Sequence, residues 1–168
     1  MRTYVRSVPD FPHPGVIFRD ITPLLQNGEA FHEAVTQLAA YGKEKGATLV
    51  VGPEARGFVI GAPIAFALQV GFVPVRKSGK LPAETIRVTY ALEYGQDVLE
   101  MHRDAVSPGD RVLLADDLLA TGGTAEATME LVQQAGGEVV GACFLIELRD
   151  LNGRQRLRGL PIQTLLSY

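Results

Sequence analysis

The sequence predicts an α/β fold, a mostly parallel central sheet with helices on both faces. Three observations predict it. Short apolar runs, "TLVVG", "FVPVR", "RVLLADD" and "EVVGACFLIEL", have the length and composition of buried strands. Between them lie stretches with apolar residues at helical spacing, such as Phe31, Val35, Leu38 and Ala39. Strands and helices alternate through most of the chain, as expected of crossover units in one sheet. The 168 residues suit a single domain, 1–168, long enough to bury a core.

Taken in order, residues 7–25 hold Pro9, Pro12, Pro14 and Pro23, too many fixed φ angles for a long helix. They also hold Phe11, Val16, Ile17, Phe18, Ile21, Leu24 and Leu25, too apolar a set for a disordered tail. An ordered arm packed on the domain is expected. The helix that begins near Phe31 stops at Gly46, and "TLVVG" follows as a strand. Residues 57–69 read as a helix with Pro63 inside, which predicts a kink or a late start. "FVPVR" is the next strand and 77–82 a loop. Ile86, Val88, Tyr90 and Leu92 alternate with Arg87, Thr89, Ala91 and Glu93, so 84–102 reads as a half-exposed antiparallel ribbon interrupted at Gly95. After a turn at "SPGD" comes the strand "RVLLADD". Residues 124–135 form a helix with Gly136 and Gly137 just past its end. "EVVGACFLIEL" and "QTLLS" complete the sheet.

Composition narrows the class. The net charge is −3, and no basic stretch is long enough to track a nucleic-acid backbone. No run of 18 or more apolar residues offers a membrane span, and "MRTYVRSVPDFPHPG" lacks the apolar core of a signal peptide, so a cytoplasmic protein is expected. The single cysteine, Cys143, lies in an apolar run and reads as a small buried hydrophobe in a reducing compartment. His13, His32 and His102 share no metal-ligand spacing, so no protein-built metal site is expected.

Chemistry concentrates at "VLLADDLLATGGTA", residues 112–125. Four apolar residues lead into Asp116 and Asp117, and a loop with Thr121, Gly122, Gly123 and Thr124 opens a helix. In open α/β sheets ligands bind beyond the carboxyl ends of the strands, where this pair falls. Free N–H groups and the helix dipole favour an anion at the helix start, the glycines let it approach closely, and the threonines add hydroxyl donors. That describes a phosphate site. The carboxylates would repel a phosphate, but they can accept bonds from sugar hydroxyls or hold Mg²⁺ through water. Together they describe a site for a sugar 5-phosphate. No Lys follows the glycines as in a P-loop.

This stretch resembles the 5-phosphoribosyl-1-pyrophosphate (PRPP) motif of type I phosphoribosyltransferases. The resemblance implies that family's fold, with an N-terminal hood arm and a flexible β-ribbon lid. It also implies that Asp116 and Asp117 meet the ribose hydroxyls, while Ala120, Thr121, Gly122, Gly123 and Thr124 cradle the 5-phosphate. "DFPHPGVIFRDITPLL", "PEARGF", "RKSGKLP" and "YALEYG" are similar, in order, to segments of the adenine-specific members. From them the resemblance implies transfer of the phosphoribosyl group from PRPP to adenine, giving AMP and pyrophosphate, with Mg²⁺ carried by PRPP. Glu54, Ala55, Arg56 and Gly57 would form the pyrophosphate loop, with Arg76 and Lys80 nearby. In related enzymes that basic loop lies near a partner's site, so a homodimer is implied.

The base would fall to the arm, 7–25. Phe18 offers a ring face, the Ile17 backbone reads the purine edge, Arg19 lies close by and Leu148 covers the other face. Related 6-oxopurine enzymes place an acid three residues after the second carboxylate; here that position is Ala120. Glu93 is therefore the implied proton-transfer group, with Arg56 as the other catalytic residue, and Tyr94 closes the ribbon lid, 84–102, over the centre. Transfer to hypoxanthine or xanthine is the alternative within the family. A nucleotide-sensing regulator on the same fold is the alternative outside it, and it would call for a nucleic-acid surface.

Overall fold

The computed structural model describes residues 1–91 and 95–168. The arm begins as an antiparallel hairpin of β1 (Arg6–Pro9) and β2 (Ile17–Asp20), paired from Arg6 with Asp20 to Pro9 with Ile17. A single turn, α1 (Thr22–Gln26), starts with Pro23 near its N-terminus, where a missing N–H costs no helical bond. In α2 (Gly28–Glu44) Asn27 accepts from the Ala30 amide and caps the start, and Ala30, Ala34, Leu38, Ala39 and Gly42 make the buried stripe.

The alternating units follow. They are β3 (Leu49–Pro53), α3 (Arg56–Leu68), β4 (Gly71–Lys77), β5 (Thr85–Ala91), β6 (Gln96–His102), β7 (Arg111–Leu119), α4 (Gly123–Gln134), β8 (Glu138–Glu147) and β9 (Ile162–Ser167). Among the described residues the main sheet runs β5-β6-β4-β3-β7-β8-β9. The pairs of β3 with β4 and β7, of β7 with β8 and of β8 with β9 are parallel; β6 pairs antiparallel with both β4 and β5. The expected mostly parallel sheet is what forms.

Strand alternation splits the core in two. Leu113 and Ala115 of β7, with Cys143 and Leu145 of β8, pack against Leu38 of α2 and Ile60 and Ile64 of α3. Val112 and Leu114, with Ala142 and Phe144, pack on the other face with Ala127, Leu131 and Val132 of α4. Helices therefore cover both faces, and Cys143 is fully buried.

Four local expectations change. First, β7 does not end at the carboxylates: Leu118 pairs with Ile146 and Leu119 with Glu147, so β8 carries the strand two residues further. Second, α3 starts at Arg56, ahead of Pro63, rather than late. The ring of Pro63 costs one helical bond, to Val59, which stands on the exposed side. Third, the arm packs through its second half. Ile21 and Leu24 are buried, but Phe11, Val16 and Ile17 are 51%, 43% and 53% exposed. Fourth, the ribbon 84–102 is rooted in the fold: Val88, Leu99 and Met101 are core residues, and the Arg76–Glu100 and Lys77–Leu99 pairs join β6 to the main sheet. Its alternation holds, with Val88 buried between exposed Arg87 and Thr89.

Candidate active site

Beyond β7 the chain makes the loop at 120–122 and enters α4. A cavity of about 470 Å³ opens there, lined by 116–125 together with Glu54, Ala55 and Arg56. Two loops about 60 residues apart in sequence are adjacent because β3 and β7 are parallel neighbours and both turn out at the same sheet edge. Gly122 caps α4 with φ +85°, a left-handed conformation that disfavours any side chain. Among the described residues no side chain caps this helix, so the first amides of α4 are open to an anion.

Asp116 and Asp117 face this space from β7. The Asp117 amide donates to Asp116 Oδ1 at 2.8 Å, and Arg56 Nε lies 2.7 Å from Asp117 Oδ2. Burial and the neighbouring Asp117 charge push the Asp116 carboxyl well above the ordinary carboxylate range. Burial raises Asp117 too, against the pull of Arg56. The two acids thus share one cation, which leaves carboxyl oxygens to meet hydroxyl donors or a divalent cation. Gly57 makes this packing possible, because a Cβ there would sit 2.9 Å from Asp116 Oδ1 and 2.8 Å from Pro53.

Glu54 is a hub rather than a free ligand. It accepts from Arg76 Nη2 at 3.0 Å and Nε at 3.2 Å, from Lys80 Nζ at 3.0 Å and from the Lys77 amide at 2.7 Å. Burial alone would raise its carboxyl, but these donors hold it below the usual range. Its side chain is thus committed to gathering Arg76 and Lys80 behind the cavity. The Glu54–Ala55 peptide is cis.

The arm reaches the same region through Phe18. The Arg56 guanidinium carbon lies 5.2 Å from the Phe18 ring centroid, and Phe11 packs edge-on against Phe18 at 5.2 Å. Ile17, next to it in β2, is exposed on the other face of the strand. Arg19, on that same face as Ile17, turns elsewhere: its guanidinium carbon is 4.1 Å from the Tyr168 ring, and it donates to Ser7 Oγ. Leu148 packs at the edge of the α2–α3 core and its amide bonds Leu119 O at 2.9 Å. Ile17, Phe18, Arg19 and Leu148 do not line the cavity itself. Glu93 and Tyr94 lie outside the described residues.

Sequence reasoning missed Leu118, Leu119 and Ala125, which line the cavity. It also missed Gly153, whose backbone abuts the loop at 120–122, and Tyr168, which holds Arg19. The Asn152-Gly153 pair carries a turn signal, but nothing local says what that turn touches.

Residues 24–161 match the model of the phosphoribosyl transferase domain. The chain is 54% identical over 167 residues to an adenine phosphoribosyltransferase of Brevibacillus brevis, covering 99% of this chain and 98% of that one. The crystal structure of adenine phosphoribosyltransferase from Thermoanaerobacter pseudethanolicus superposes with a TM-score of 0.96 at 50% identity, over 99% of this chain and 97% of that one. The Saccharomyces cerevisiae enzyme, complexed with adenine and an imino-altritol bisphosphate, superposes at 0.93 with 38% identity, covering 97% and 94%.

Proposed function

The chain belongs to the phosphoribosyltransferase family, and we propose that it transfers the 5-phosphoribosyl group of PRPP to adenine, releasing AMP and pyrophosphate. The observation that carries this is one cavity in which the amides and hydroxyls of 121–124, the Asp116–Asp117 pair and Arg56 converge. One end suits a phosphate, the middle suits ribose hydroxyls, and the Arg56 end suits a diphosphate, which a planar guanidinium grips by its fork. Phe18, reached through Arg56, offers the purine a face.

In this reading adenine N9 attacks C1 of the ribose while pyrophosphate departs, and the charge at C1 resembles an oxocarbenium ion. Mg²⁺ carried by PRPP would supply positive charge to the diphosphate leaving group. Asp116 and Asp117 hold the ribose hydroxyls, so C1 is presented in line with the base. Arg56 grips the diphosphate, and Arg76 and Lys80, gathered by Glu54, add positive potential behind it. Ala55 and Gly57 bring backbone amides to the same group. Ile17 reads the adenine edge through its backbone, and Leu148 closes the other face. Glu93 takes the proton that the base gives up, and Tyr94 closes over the reacting centre against water, since hydrolysis of PRPP is the competing loss. The enzyme acts as a cytoplasmic homodimer. The outer face of α3, where Phe66 is 86% and Val59 38% exposed, offers an apolar surface for a second copy.

Pyrophosphate release with PRPP, Mg²⁺ and a panel of free bases tests this. Adenine should give the highest kcat/KM. A higher value for hypoxanthine or guanine would overturn the base assignment, and no release with any base would overturn the transfer.

A further inference from the structure

Gly153 is remote from the cavity in sequence and does not line it, yet its backbone lies against the loop that does. A Cβ on Gly122 would sit 2.5 Å from Gly153 O and 3.2 Å from Gly153 Cα. A Cβ on Gly153 would collide with Ala120 O, and would lie 3.1 Å from the Gly122 amide and 3.0 Å from Leu119 Cδ1. Two main chains are therefore in direct contact over 120–122, and neither side has room for one more carbon.

The segment carrying Gly153 is itself held at three points. Arg154 forks onto Glu147 at the end of β8, with Nε 2.6 Å from Oε1 and Nη2 2.8 Å from Oε2. Thr164 of β9 donates to the same carboxylate at 3.1 Å. Leu157 is buried, and Arg156 pairs at 2.8 Å with Glu126 in the first turn of α4. A bidentate pair fixes direction as well as distance. It stands on the residue next to Gly153, so it anchors to β8 the chain that carries the Gly153 carbonyl.

We infer that Gly153 is a positioning residue for the 5-phosphate loop, and that the Arg154–Glu147 pair is the latch that holds it there. The inference rests on the transferase reading above. It assigns to Gly153 no contact with substrate: the glycine sets where the amides of 121–124 point. A loop displaced by a fraction of an ångström loses aligned donors to the 5-phosphate and leaves the diphosphate end alone.

The test uses the full chain with Gly153→Ala and Arg154→Lys. Calorimetry measures AMP, which carries the 5-phosphate, and magnesium pyrophosphate, which does not. Steady-state kinetics measure KM for PRPP and for adenine. Gly153→Ala should weaken AMP and raise KM for PRPP about tenfold or more. It should leave pyrophosphate affinity, KM for adenine and the far-ultraviolet circular dichroism as in wild type. Arg154→Lys keeps the charge but loses the fork, and should move the same two quantities in the same direction by less; it carries the test should Gly153→Ala not fold. AMP and pyrophosphate weakening together, or neither changing, would overturn the inference. A wild-type chain that binds neither AMP nor PRPP would overturn the transferase reading and this inference with it.

Discussion

Asp116 and Asp117 compete for one cation. Arg56 reaches Asp117 at 2.7 Å, whereas among the described residues Asp116 is met by the Asp117 amide at 2.8 Å. A buried acid without a counter-charge destabilises the ligand-free fold, so the two positions should respond differently. Asp116→Asn removes the uncompensated charge and keeps an oxygen for that amide. Its melting temperature without ligand should rise, while kcat/KM for PRPP falls about ten- to 150-fold, the ~1.5–3 kcal/mol of one charged hydrogen bond. Asp117→Asn should lose PRPP use similarly but gain no stability, because Arg56 is left without its partner. Thermal melts beside initial rates decide this; two variants with wild-type kcat/KM for PRPP would return the pair to a structural role. The acid pair and its loop were legible in the sequence because the whole motif lies within 116–124. The commitment of Glu54 was not, because its partners Arg76, Lys77 and Lys80 stand 22 to 26 residues away.

At the scale of elements, periodicity made the helices and central strands legible, and the arm shows where it misleads. Phe11, Val16 and Ile17 look like core in the sequence but are exposed. An apolar side chain kept for a planar substrate has the same composition as one kept for packing. What holds β2 in place is equally hidden. Arg19 and Arg2 both lie over the Tyr168 ring, at 4.1 and 4.6 Å, and Arg2 also donates to Ser167 O at 2.9 Å. Among the described residues the buried Arg19 Nε has no hydrogen-bond partner, so its stacking on the ring is a main tie. Phe18 and Arg19 point to opposite faces of β2, so a tether on one aims the other. Tyr168→Ala should therefore raise KM for adenine roughly five- to twentyfold, the size of one or two cation–π contacts, and leave KM for PRPP unchanged. Tyr168→Phe keeps the ring and should behave as wild type. An adenine KM unmoved by Tyr168→Ala would show that Ile21 and Leu24 alone hold the arm.

Across the whole molecule, the sheet order β5-β6-β4-β3-β7-β8-β9 was the least legible feature, since β3 and β7 pair across some 60 residues and no local pattern encodes that. Long-range pairing also places Glu54, Glu100 and Glu147 where separate segments converge. Glu147 gives the sharpest consequence. The Arg154 fork outweighs burial, and with Thr164 and the charge of Arg149 it holds the Glu147 carboxyl below the usual 4.5. A folded-state value below the unfolded one gives stability that is fully present above about pH 4.5 and is lost as pH falls through the folded value. Glu147→Gln keeps the size and one acceptor oxygen but breaks the ion pair, which should cost about 1–2 kcal/mol at pH 7, since the half-exposed Arg154 guanidinium is left to water. Below the folded value wild-type Glu147 is itself protonated and has lost the same interaction. The stability gap between the two proteins should therefore be widest at neutral pH, start to narrow below about pH 4.5 and close in stronger acid. Urea midpoints for both proteins at pH 7, 5 and 3 measure that gap. A gap that stays constant through the acid range would mean that the introduced amide disturbs packing and that the charge of Glu147 contributes nothing.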